Sequence, residues 1–125
     1  MSPVVSKFRA LVEKLYQRTL DGKLEWNFDS SLPYLWTTIA NREIEIEESH
    51  NFNGDPLMSI LIKSDGEVIE RFNDEMITGV EPKIAGFASY YKLMVELENA
   101  AKRRALGADK SLDDVLRELD EDTPS

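Results

Sequence analysis

A chain of 125 residues with no cysteine and a net charge of −9 is long enough to bury a core without staples, and it offers no disulfide, thiolate ligand or cysteine nucleophile. The charge is uneven: residues 1–26 sum to +2, residues 27–82 to −9 and residues 83–125 to −2. An acidic surface of that kind opposes direct contact with nucleic-acid phosphates and suits a basic protein partner, or simply solubility.

From the N-terminus, Val4, Val5, Phe8, Leu11, Val12 and Leu15 repeat at helical spacing. Pro3 favours a start and Gly22 a stop, so an amphipathic helix is predicted there. Lys7, Arg9, Glu13 and Lys14 interrupt any charged-then-apolar leader pattern, and no apolar run approaches the roughly 18 residues of a membrane span. No membrane association and a cytoplasmic location are the expectation. Lys23 to Asp29 alternates, with Leu24, Trp26 and Phe28 on one side, which predicts a short strand or extended arm. The segment Asp29-Ser30-Ser31-Leu32-Pro33 interrupts it.

Tyr34 to Ala40 predicts the next strand, with Tyr34 and Trp36 sharing one face and Leu35 and Ile39 the other. Asn41-Arg42 is the expected turn. Glu43-Ile44-Glu45-Ile46-Glu47 alternates strictly, as a strand with one wet face does. A polar loop from Ser49 to Pro56 leads to Leu57–Lys63, apolar enough for a central strand buried on both faces. Asp65-Gly66 is a strong hairpin signal, because a two-residue primed turn needs positive φ, and Val68 to Phe72 returns as the partner strand.

Pro82 to Gly107 predicts one long helix, with Ile84, Phe87, Tyr91, Met94 and Ala101 on a face that Tyr90, Leu93 and Leu97 widen. Gly79 and Gly86 are its weak points. A helix so broadly apolar needs two partners: a sheet and another helix, or a sheet and a second subunit. After Gly107, Leu112, Val115, Leu116 and Leu119 form the apolar face of a short terminal helix with acids in its first turn. It is expected to pack on the body or on a partner. The fold class predicted is α+β: an N-terminal helix, an antiparallel meander of three to four strands, and a long and a short C-terminal helix packed on one sheet face. Residues 1–120 read as one domain and residues 121–125 as a disordered tail.

The vocabulary of catalysis is sparse. The six glycines are scattered, no Gly-x-Ser-x-Gly elbow occurs, and His50 is the only histidine. The loop holding His50, Asn51, Asn53 and Asp55 has hard ligands but lacks the spacing of a calcium-binding loop, so no metal and no cofactor are expected. Glu43, Glu45 and Glu47 read first as a solvated strand face, and second as a docking face for a basic protein or an imitation of phosphate spacing. Trp26, Trp36 and Tyr34 read as core or interface rather than a stacking platform, because no basic groove surrounds them. The functional expectation is a non-catalytic protein–protein interaction module that forms a homodimer through its C-terminal helices. Tyr90, Leu93, Leu97, Leu112 and Leu116 are its expected contact residues, with Glu43, Glu45 and Glu47 as a charged surface. An acidic inhibitor mimicking nucleic acid, or a small metal-assisted hydrolase using His50 and Asp55, stands as the alternative.

Overall fold

A computed structural model describes residues 3–121. Its elements are α1 (Pro3–Leu20), strands β1 (Asn27–Phe28), β2 (Tyr34–Ile39), β3 (Arg42–His50), β4 (Pro56–Ser64) and β5 (Glu67–Asn73), a 3-10 turn (Asp74–Ile77), α2 (Tyr90–Ala105) and α3 (Ala108–Glu121). The strands form an antiparallel meander in sequence order. The fold is α+β as predicted, with five strands instead of three to four. The additional one is β1, where the expected arm pairs only through Asn27 with Trp36 and Phe28 with Leu35. Trp26, just before it, turns into the core and donates to Thr19 Oγ1 at 2.9 Å. Of the tail expected from residue 121, Glu121 ends α3 and the rest lies outside the described residues.

Turn chemistry sets the register. Asp65 and Gly66 both take positive φ (52° and 84°), the primed turn that the dipeptide predicts. The β2–β3 turn falls on Ala40 and Asn41 (φ 53° and 61°), one residue earlier than expected, because Ile39 pairs with Arg42 across it. That register aligns Leu35, Ile46, Ile60 and Phe72 in one row across the sheet, all buried. Strand side chains alternate, so Trp36, Glu45, Leu61 and Arg71 form a row on the opposite face.

The inner row meets α1 through Phe8, Val12 and Leu15, and α2 through Leu93, Met94, Leu97 and Ala101. Phe8 stacks on Phe72 with ring centroids 4.2 Å apart. Burying chains of this size is the main stabilising term, about 1.5–3 kcal/mol for each large aliphatic or aromatic residue. Polar staples join the layers. Arg9 donates to the carbonyls of Ile77 (2.9 Å) and Thr78 (2.8 Å), and the buried Glu13 carboxylate accepts from Lys83 N at 2.6 Å.

The long helix is shorter than its apolar pattern. It begins at Tyr90, with Ser89 as N-cap accepting from Lys92 N at 3.2 Å, not at Pro82. Gly79 and Gly86 take φ of 104° and 96°, outside the right-handed helical region, so the preceding segment runs as an irregular loop. Ile84 and Phe87 still pack on the core from that loop, and Phe87 meets Tyr16 edge-on at 5.3 Å. Their apolar spacing reports burial, not helix.

Candidate functional site

Three of the residues expected at an interface belong to the interior. Tyr90, Leu93 and Leu97 are 3%, 0% and 0% exposed. The broad face of α2 is covered from two sides, by the sheet and by α1, so it offers none of these three side chains to a second subunit. The expectation that they make an external contact is corrected on that ground. Leu112 and Leu116 lie at the other extreme.

Gly107, at φ 64°, ends α2 and redirects the chain into α3. Arg103 of α2 forms an ion pair with Asp109 across this corner. No residue of α3 is buried. At about 3.6 residues per turn, Leu112, Val115, Leu116 and Leu119 fall within a sector of roughly 100°, and they are 53%, 55%, 51% and 59% exposed. Asp109, Asp113 and Asp120 border that sector on one flank, and Ser111 and Glu118 on the other. The two basic residues of the helix lie behind it: Lys110 and Arg117 both reach Asp114, at 3.0 and 3.5 Å. The surface is thus an apolar stripe with an acidic border. Periodicity alone locates the stripe, but the exposure of Leu112, Val115 and Leu116 is set by how the rest of the chain packs.

The glutamate ladder is not a row of bare carboxylates in water. Glu45 is 2% exposed, sandwiched in its row between Trp36 and Leu61, and its Oε2 lies 2.7 Å from Lys63 Nζ, close but poorly directed for a hydrogen bond. Glu47 faces Arg71 at 3.7 Å. A hydrogen bond shared with Glu45, then burial and the Glu45 charge, hold Glu43 above the usual carboxylate range, with Lys63 acting the other way. Lys63 also sits 5.4 Å from the Tyr34 ring centroid, and Tyr34 meets Trp36 at 6.0 Å. Cations from β4 and β5 therefore pair with two carboxylates of the strand that looked unopposed in sequence, and Tyr34 and Trp36 are half-buried beside them.

His50 is exposed at the end of β3, across from Pro56. In the loop that follows, Asn51 Oδ1 accepts from Asn53 N and Asp55 N at 2.9 and 3.0 Å, so the oxygen that could serve a cation holds the turn. Among the described residues no three His, Asp or Glu side chains gather in metal-binding proximity. Phe52 stands fully exposed at the tip of this hairpin, a feature not singled out by sequence pattern.

The basic run Lys102-Arg103-Arg104 is engaged within the fold. Arg104 donates to Thr19 O (3.1 Å) and Leu20 O (2.8 Å), closing the C-terminus of α1, and Lys102 lies 5.9 Å from the Phe28 ring centroid. A shallow cleft beside Phe28 holds Glu48, Glu98 and Lys102. Burial, then the Glu48 charge, raise the Glu98 carboxyl, and Lys102 opposes them. Among the described residues no helix is long and apolar enough to cross a membrane. Compared with family models, with curated proteins and with solved structures, the chain matches none.

Proposed function

We propose that this chain is a protein–protein interaction module whose docking element is α3. One observation carries the proposal: Leu112, Val115 and Leu116 share one helix face and are each more than half exposed. An amphipathic helix of fourteen residues gains little from propensity alone and is stabilised mainly by burying its apolar face. Helix-in-groove recognition uses such i, i+3, i+4 anchors. The body supplies a rigid mount, since Arg104 ties the end of α2 to α1.

Site-specific photocrosslinking tests this. Leu116→benzoylphenylalanine should yield a protein adduct in extracts of the native host, and the same probe at Arg117, on the back of the helix, should not. Leu112→Ser in the same chain should remove the adduct. If position 116 gives no protein adduct of any kind, including one with a second copy, α3 is not a docking element.

A further inference from the structure

We infer that the occupant of the α3 stripe is a different protein with an apolar groove edged by lysine or arginine, and not a second copy of this chain, an inference that rests on the docking role just proposed. Charge placement carries it. The residues of α3 bordering the stripe are the acidic Asp113, Glu118 and Asp120, the neutral Ser111, and Asp109, whose charge Arg103 of α2 offsets, so the border is acidic on balance. Lys110 and Arg117 cannot serve as counter-charges at the front, because both lie behind the helix against Asp114. Two α3 helices laid face to face would bring acidic borders together, and like charges so placed oppose pairing.

Elsewhere on the described surface, the apolar recesses a second copy could offer this helix are edged by both signs: Phe87, Tyr91 and Val95 lie with Lys92 and Glu96, and Ala10 and Ile84 lie with Lys14, Lys83 and Glu13. Val68 and Ile69 are exposed, but they lie between Glu67 and Glu70. Met76 follows Glu75, and Val80 precedes Glu81. On α1, where Lys7, Lys14 and Arg18 are exposed, the exposed apolar residues are Val4 and Leu20, about 24 Å apart at 1.5 Å per residue. Phe28 borders a cleft that holds Lys102 together with Glu48 and Glu98, two carboxylates against one cation. Ile39, Phe52 and Leu106 are single exposed side chains, not a groove. An anionic lipid surface fits no better, since interfacial helices place lysine and arginine beside their apolar face.

The test uses the full chain and two synthetic helical hairpins that present the same leucine groove, one edged by lysines and its twin by glutamates. Fluorescence anisotropy should show the lysine-edged hairpin binding at least about tenfold more tightly, with that preference shrinking as salt rises from about 50 to about 500 mM. Asp113→Lys with Glu118→Lys and Asp120→Lys should reverse the preference. Leu112→Ser with Leu116→Ser should remove binding of both.

Equal affinity for the twins, lost in the serine variant, would overturn the basic-edged partner while leaving the docking helix in place. Binding of neither hairpin would also overturn it. So would a doubled mass by light scattering at tens of micromolar that the serine variant abolishes, or binding to phosphatidylcholine–phosphatidylglycerol vesicles that it abolishes. Hairpin binding unaffected by the serine substitutions would instead remove α3 as the docking element.

Discussion

Glu45 shows how a residue's neighbours decide what its charge does. Its carboxylate lies in a row between Trp36 and Leu61, with Lys63 as its counter-ion among the described residues. Removing one member of a buried pair leaves an uncompensated charge, whereas replacing both by apolar residues is often close to neutral. Lys63→Met should therefore destabilise the protein by about 3 kcal/mol, the low end for breaking a buried pair, because the Lys63 side chain is 23% exposed. Glu45→Leu combined with Lys63→Met should lie within about 1 kcal/mol of wild type. Urea denaturation of the single and double variants measures both. A double variant as unstable as the sum of the two singles would show that the pair does not act as a unit. Sequence displayed the ladder but not the two cations that face it, since Lys63 and Arg71 reach it only through strand pairing.

At the scale of elements, α2 and α3 look alike in pattern and differ in setting. Both are amphipathic, yet α2 buries Tyr90, Leu93, Met94, Leu97 and Ala101, and α3 buries nothing. A helix without tertiary cover opens with little free energy, while one locked in the core opens only with the whole fold. Amide hydrogen exchange should show α3 exchanging at least about a hundredfold faster than the middle of α2 in the isolated protein, and slowing when a partner binds. Equal protection in the two helices would mean that α3 is already covered. The strands were readable because alternation and the Asp65-Gly66 turn are local features. The start of α2 was not, because Gly79 and Gly86 use left-handed φ in a loop whose apolar residues imitate a helix.

For the molecule as a whole, the −9 charge and the raised carboxyls act in the same direction. Glu43, Glu98 and Asp74 all sit above their ordinary values: Glu43 first through its hydrogen bond to Glu45, Glu98 and Asp74 first through burial. A carboxyl whose pKa is raised on folding binds its proton more tightly in the folded state. Its stabilising contribution is complete below the unfolded value and is lost as pH rises through the folded one. The melting temperature should therefore rise as pH falls from about 7 towards about 5, and easing of net self-repulsion adds to the effect. Calorimetric scans across that range check it, and Glu43→Gln with Glu98→Gln should flatten the profile. A melting temperature that falls steadily over the same window would contradict the assignment.

The amino-acid order by itself determined the α+β class, the Asp65-Gly66 turn, the alternating strands and the apolar stripe of α3. Each of these depends on backbone preference or spacing within about ten residues. Only the tertiary structure decided which apolar faces meet each other. It enclosed Tyr90, Leu93 and Leu97 between α1 and the sheet and brought Lys63 onto Glu45, while Leu112, Val115 and Leu116 remained facing water. Burial is a property of what arrives from elsewhere in the chain, and periodicity carries no information about that.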